Sequence, residues 1–108
     1  MAVSVNTSGS QTAVISTEHA LATIASAGTY SLVVDLAAMV NGDVVELRIY
    51  GKARNADTER LVMMQAYAHA QAAPLVFSVP IMSPHHFKAT LKQTAGTGRA
   101  YPWSVYQA

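Results

Sequence analysis

The feature that most constrains the fold is an alternation of apolar and polar residues in short segments separated by turn residues. In the clearest segment, 43–52, the apolar residues fall on one face of an extended chain and the polar residues on the other, because side chains alternate across a strand. These residues are Val45, Leu47 and Ile49 against Glu46, Arg48 and Tyr50. Such segments recur about every 8–12 residues from Thr12 onward, a spacing typical of sandwiches and barrels. We predict an all-β fold, an antiparallel, jelly-roll-like β-sandwich of about eight strands.

The length and the first residues suggest the domain organisation. A chain of 108 residues supports one hydrophobic core, so residues 12–108 are predicted to form a single sandwich domain. Residues 5–11, VNTSGSQ, are small and polar and bury too little apolar surface to offset the entropy of ordering them. We predict that residues 1–11 are a flexible N-terminal arm.

Segment 58–73, TERLVMMQAYAHAQAA, is compatible with two secondary structures. Thr58 as an N-cap, several good helix formers and the following Pro74 favour a helix. Read with a period of two, small alanines occupy one side, which suits close contact between sheets, and both neighbouring segments are strands. We predict a strand. The next segment, 75–81, is a further strand in which Pro80 indicates a sheet edge or a strand end.

Two further strands are predicted near the end of the chain, at 87–94 and 99–107. The residues TAGTGR separate them, and Gly96 and Gly98 accept the positive φ angles of a tight turn. We predict that the two strands form a hairpin.

A connector between the strands at 28–35 and 43–52 is bounded by two carboxylates. Asp35 is predicted to cap one short helical turn at 36–40, whose apolar side chains plug the end of the sandwich. Those side chains are Leu36 and either Met39 or Val40. Gly42 and Asp43 then reverse the chain, because Gly accepts left-handed angles and Asp bonds back to the turn. On this interpretation both carboxylates shape the chain.

The composition excludes several partners. Seven Lys and Arg residues against six Asp and Glu leave a net charge of +1, too weak a field for nucleic acid. No apolar run approaches about 18 residues and no Lys or Arg precedes one at the start, so we expect no membrane segment and synthesis in the cytoplasm. Charged residues are 12% of the chain against about 25% in ordinary domains, while apolar residues reach 51%. We expect another protein to cover part of the surface.

No constellation of residues predicts catalysis, a cofactor or a metal. His85 and His86 are adjacent, and on an extended chain their side chains point in opposite directions. Asp35, Asp43 and Glu46 lack the spacing of a calcium loop. GTGRAY lacks the third glycine and the helix of a phosphate site, and no nucleophile elbow occurs. We predict a protein that is not an enzyme.

Three segments together resemble small virion structural proteins of tailed bacteriophages, often called decoration, cement or minor structural proteins. The segments are GTYSLVVDLAAMVNGDVVELRI, AQAAPLVFSVPI and ATLKQTAGTGRAYPWSVY. The resemblance implies a non-enzymatic β-sandwich in the virion that binds other virion proteins, the major capsid protein first, and stabilises the head as a decoration protein. By analogy with such proteins we expect a homo-oligomer, a trimer. A protein of the tail, neck or fibre is the alternative within this class.

Candidate interface residues follow from side-chain chemistry. Arginine forms bidentate pairs with carboxylates and is enriched at protein contacts. The candidates are Arg48, Arg60, Arg99 and Tyr50.

A carbohydrate-binding module is the alternative from another class, because β-sandwiches often bind sugars with exposed aromatic rings. Its candidate residues are Tyr50, Tyr67, Tyr101, Trp103 and Tyr106. For Trp103, a strand position beside Tyr101 and Val105 favours packing in the core.

Overall fold

The computed structural model describes residues 3–108, and this part of the chain contains nine β-strands and no helix. The strands are β1 (Ser4–Thr12), β2 (Glu18–Ile24), β3 (Gly28–Asp35), β4 (Val44–Gly51), β5 (Arg60–Ala68), β6 (Leu75–Phe77), β7 (Ile81–Ser83), β8 (Phe87–Ala95) and β9 (Ala100–Gln107). They form two antiparallel sheets. The first has the order β1-β9-β3-β6, with β7 also paired to β3, and the second has the order β2-β8-β4-β5. The predicted antiparallel sandwich is confirmed.

Strand pairs are nested along the chain. The first strand pairs with the last, β2 with β8, β3 with β6 and β7, and β4 with β5. The predicted hairpin of 87–94 and 99–107 is wrong, because β8 lies between β2 and β4 whereas β9 lies between β1 and β3. Glycine turns reverse the chain, but they do not determine whether the next strand joins the same sheet or the opposite one.

The hydrophobic core lies between the two sheets. Its fully buried members include Tyr30, Leu32, Val45, Ile49, Phe87, Leu91, Tyr101 and Val105. The rings of Tyr30 and Phe87 are 5.3 Å apart and tilted by 46°, a favourable geometry for an aromatic pair. In β4 the alternation predicted from the sequence places Val45, Leu47 and Ile49 inside. Burial of each such side chain contributes about 1.5–3 kcal/mol.

The connector after β3 closes one end of this core. The side chains of Leu36 and Met39 are buried, whereas that of Val40 is 47% exposed. The turn predicted at 36–40 is a single hydrogen-bonded turn and not a helix: the Met39 N–H donates to the Leu36 carbonyl at 3.1 Å. That one turn is sufficient to place the side chains of Leu36 and Met39 in the core. The chain then reverses again.

The structure differs from the predicted flexible arm at the start of the chain. Residues 4–12 are strand β1, which runs antiparallel to β9 from Ser4 opposite Gln107 to Thr12 opposite Ala100. Backbone hydrogen bonds to an edge strand hold this segment, and they do not require apolar side chains. In the rest of the predicted arm, Val3 precedes the strand and is exposed, and residues 1 and 2 lie outside the described residues.

The two uncertain segments before β8 are both extended. Strand β5 occupies 60–68, which confirms the strand prediction there. Strands β6 and β7 are separated by 78–80, so Pro80 lies at a break on the sheet edge, as predicted. The Leu32 N–H donates to the Ser78 hydroxyl at 2.9 Å across this break. Within residues 3–108 no helix is long and apolar enough to cross a membrane.

Candidate functional site

Asp43 is a buried carboxylate at the end of the sandwich, 1% exposed. Its Oδ2 accepts hydrogen bonds from the Val40 N–H at 3.0 Å and from Nε of Arg99 at 2.7 Å. Its Oδ1 accepts from the Thr97 N–H at 3.2 Å. The carboxylate therefore ties the β3–β4 connector to the loop between β8 and β9. Arg99, a predicted interface residue, uses its Nε in this contact, and its side chain is 30% exposed.

The surroundings of Asp43 stabilise its charged form. Burial by itself raises the pKa of this carboxyl group. The hydrogen bond from the Arg99 guanidinium and the N–H groups of Val40 and Thr97 outweigh burial, so the pKa lies below its ordinary value. The same ion pair raises the pKa of Arg99. The ionised carboxylate of Asp43 therefore holds the two loops together through three hydrogen bonds. It is buried and is not accessible to a ligand in solvent.

The predicted turn glycines surround this carboxylate. Gly96 has φ of +87°, and a Cβ there would lie only 1.9 Å from Oδ1 of Asp43. A Cβ at Gly98 would lie 2.2 Å from the carbonyl oxygen of Ala13. Gly42 has φ of +98° but no atom within 4 Å of its Cβ position. Gly42 is thus required by backbone angle alone, and Gly96 by both backbone angle and close approach. Gly98 is required by close approach alone, and the positive φ predicted for it is wrong.

Asp35, the other carboxylate of the connector, has a local role. Its Oδ1 accepts a hydrogen bond from the Ala37 N–H at 2.9 Å, the contact of a capping side chain. The Leu36 N–H donates to the Pro74 carbonyl at 2.8 Å and fixes the same turn from outside. Asp35 and Asp43 therefore hold turns, and they do not share a ligand.

A polar cluster covers the outer face of the second sheet. Glu18 Oε2 accepts hydrogen bonds from the Tyr50 hydroxyl at 2.6 Å and from the Thr90 hydroxyl at 2.7 Å. The hydrogen bond from Tyr50 lowers the pKa of Glu18 against the opposing effect of burial, and it raises the pKa of Tyr50. Arg48 donates to Glu46 at 2.6 Å. Two further interface candidates, Arg48 and Tyr50, are therefore engaged within the chain.

A second group of charges lies next to this cluster. Glu59 contacts Nε2 of His86 at 2.9 Å and the Lys88 amine at 3.5 Å. The Lys88 amine also lies 5.6 Å from the centre of the Tyr50 ring. Most of these polar groups contact one another, but Nη1 of Arg48 makes no hydrogen bond and lies 3.8 Å from Oε1 of Glu18. Among residues 3–108 no group of three or more His, Cys, Asp and Glu side chains is placed to hold a metal ion.

Exposed apolar side chains are concentrated where the edges of the two sheets face each other. These edges are β5 on one sheet and β6 and β7 on the other. Seven large apolar side chains there are 45–85% exposed. These residues, which we call the open side, are Leu61, Val62, Met64, Leu75, Phe77, Val79 and Met82. In the described chain no strand pairing joins β5 to β6 or β7. The sandwich is therefore unsealed along this side.

The open side holds little internal space. The cleft behind it, bordered by Met63, Tyr67 and Phe77, has a volume of about 20 Å³, room for about one water molecule. Pockets for drug-sized ligands measure about 300–1,000 Å³. A depression of about 320 Å³, at the low end of that range, lies between Arg60 and Met82, but it is open to solvent and does not enclose a ligand. The open side is therefore better suited to binding the surface of another protein than to enclosing a small ligand.

The sequence carried a signal for the open side that strand periodicity does not reveal. From Leu61 to Phe87 there is no Asp, Glu, Lys or Arg. A span that forms edge strands without any charge is unusual, because charges on edges normally prevent association. Of the four predicted interface residues, Arg60 borders this side at the start of β5. Arg48 and Tyr50 lie on the neighbouring strand β4, opposite Met64 and Leu61.

Comparisons of the chain with protein-family models, with curated proteins and with solved structures find no match. Function is therefore inferred from two surfaces of the molecule, the polar outer face of the second sheet and the exposed apolar open side.

Proposed function

We propose that the chain is a non-enzymatic structural subunit of a tailed-phage virion that attaches to other virion proteins through the open side. The main evidence for this attachment is the concentration of exposed apolar side chains on the open side, such as Met82 at 85% and Phe77 at 58% exposure. Exposed apolar patches of this kind mark protein-binding surfaces. The setting in a virion comes from the resemblance found in the sequence.

Charge supports an apolar partner surface. The buried Asp43 and the partly buried Arg48 have partners within the chain. The open side itself contains no charged residue, and the charges at its border are Arg60 at the start of β5 and Arg48 opposite Met64. Covering it therefore desolvates few charged groups, which favours burial against an apolar surface. The major capsid protein is the partner we propose.

The shape supports a role at joints between subunits. The molecule measures 40 × 31 × 18 Å, so it is a thin plate. A plate laid across a joint contacts both neighbours and adds buried area that resists their separation. The nested pairing of β1 with β9, β2 with β8, β3 with β6 and β7, and β4 with β5 supports the finer description of the sandwich as a jelly roll.

The geometry does not favour the carbohydrate alternative. Tyr101 is fully buried, and Trp103 packs against the core beside Gly9, whose missing side chain leaves space for the indole ring. The Lys88 amine lies by the Tyr50 ring, and Tyr106 packs edge-on against Phe77 at 6.0 Å. The aromatic side chains are thus spread over separate surfaces, whereas a sugar platform presents free ring faces together.

The test is to locate the chain on purified particles of the phage that encodes it. Heads and tails are separated, and each fraction is analysed by quantitative mass spectrometry. We expect the chain on heads at a fixed ratio to the major capsid protein. Its presence on tails alone would favour the tail, neck or fibre alternative, and its absence from both fractions, while abundant in the lysate, would contradict the proposal.

A matched pair of variants links the attachment to the open side. Met82→Lys adds a charge at the most exposed apolar residue of this side, and Val14→Lys adds the same charge at a residue that is 59% exposed elsewhere. We expect Met82→Lys to be lost from heads during washing and Val14→Lys to be retained. Equal retention of the two variants would assign the attachment to another surface.

A further inference from the structure

The sandwich has four sheet edges, and three of them carry features that discourage pairing with another chain. Strand β1 has polar side chains, a glycine and a bulge after Val5. Strand β2 begins at Glu18 and has a bulge after Ala20. Strands β6 and β7 have three residues each, with Pro80 between them. Short strands, charges, prolines and bulges are the usual means of protecting an edge.

The fourth edge, β5, lacks this protection over most of its length. It has nine residues, and its one charge, Arg60, stands at the first position. A bulge at Val62 interrupts its pairing with β4, after which Met63 to Ala68 continue in regular register. These six residues contain no charge, proline or glycine. A strand of this kind is a template for another strand, since one row of its backbone N–H and C=O groups has no partner strand.

We infer that β5 pairs antiparallel with β5 of a second copy of this chain, joining two four-stranded sheets into one continuous eight-stranded sheet. The inference rests on the edge itself and does not depend on the virion role. Backbone hydrogen bonds supply the recognition, as in other cases of strand addition. The side chains of Leu61 and Met64, 52% and 45% exposed, lie along the strand and become covered in the pair. The part of the open side on β6 and β7, which includes Phe77 and Met82, then remains for attachment to other virion proteins.

A second copy is the occupant that fits this edge. Because Met63 to Ala68 carry no charge, two copies related by a two-fold axis bring no like charges together across that segment. Arg60 lies at the opposite end of the strand from Ala68, so the two arginines of a pair stand at its two ends. The other edges of a second copy are protected as described above, which leaves β5 as the best match for β5. Two-fold pairing is closed, so it produces a dimer and replaces the trimer expected from the resemblance.

The test compares variants of the full chain by sedimentation and light scattering at micromolar to submillimolar concentrations. We expect the wild type to be a dimer. Met64→Lys places two charges near the axis and is expected to raise the dissociation constant by about tenfold or more. Val5→Lys, at a residue that is 57% exposed on β1, is the matched control and should leave the dimer unchanged. Thermal unfolding verifies that each variant is folded. Ala66→Lys introduces a charge at a second position of β5 and is also expected to weaken the dimer.

Cross-linking provides a readout without added charge. The chain has no cysteine, so Ala66→Cys introduces a single thiol. Facing residues of an antiparallel pair have Cβ atoms about 4.5–5.5 Å apart, close to the reach of a disulfide or a short cross-linker. We expect covalent dimers from Ala66→Cys, and few from Ser8→Cys on β1. A wild type that is monomeric throughout, a trimer, or a dimer insensitive to both lysine variants would overturn the inference. A dimer that fails to attach to phage heads would support it while contradicting the proposed function.

Discussion

Asp43→Asn tests whether the buried carboxylate fastens the end of the sandwich. An amide has the same shape but one acceptor oxygen, so one of the three donors now at the carboxylate faces an NH₂ group. Those donors are the Val40 N–H, the Thr97 N–H and Nε of Arg99. The substitution also removes the charge that the guanidinium faces at 2.7 Å.

The magnitude follows from two losses. A hydrogen bond to a charged acceptor contributes about 1.5–3 kcal/mol, and a buried donor left unpaired costs about 1–3 kcal/mol. We expect Asp43→Asn to lower the free energy of unfolding by about 3–5 kcal/mol, the range found when one partner of a buried ion pair is removed. That is a large part of the roughly 5–15 kcal/mol that stabilises a typical domain.

The assay is urea unfolding followed by fluorescence of Trp103, the one tryptophan in the chain. Linear extrapolation gives the free energy of unfolding, and an unchanged slope shows that the two states expose the same surface. Asp57→Asn is the matched control, since Asp57 pairs with the largely exposed Arg54. Exposed pairs contribute little, so this variant should change stability by less than about 1 kcal/mol.

The dependence on pH has a defined sign. The pKa of Asp43 is depressed in the folded state, so its contribution is present above the ordinary aspartate pKa of about 3.9 and is lost as the pH falls below it. The difference between wild type and Asp43→Asn should therefore shrink as the pH falls below about 4. A cost below about 1 kcal/mol at neutral pH, or a difference independent of pH in acid, would refute the reasoning.

Three further predictions concern stability, each measured by the same unfolding assay. Gly96→Ala should cost several kcal/mol more than Gly42→Ala, since a Cβ collides with Asp43 only at Gly96, and equal costs would contradict this. Burial raises the pKa of Tyr101 to about 12, so the wild type should lose stability from about pH 10 to 12 and Tyr101→Phe should lose less there; parallel curves would contradict this. Asp35→Ala should cost about 0.5–2 kcal/mol as a lost cap, and no change would show that the Asp35 contact is dispensable.

Strand positions were predictable from the sequence because alternation is a local property. The faces of β4 and the buried Leu36 and Met39 all follow from which residues are apolar and how they are spaced. The sequence also indicated the turns at Asp35 and Gly42, since capping and positive φ depend on one or two residues. The strand at β5 was predicted against its helix propensity, because its neighbours were strands.

Which strands pair was decided by the tertiary structure alone. The hairpin predicted for 87–94 and 99–107 failed because the loop between β8 and β9 crosses the end of the sandwich, where Asp43 holds it. That carboxylate lies more than fifty residues before the loop, so no local pattern reveals the contact. Likewise β1 is ordered by pairing with β9, at the far end of the chain. Periodicity determines which face of a strand is buried, but hydrogen bonds between distant strands select the neighbour, and those depend on the packing of the whole molecule.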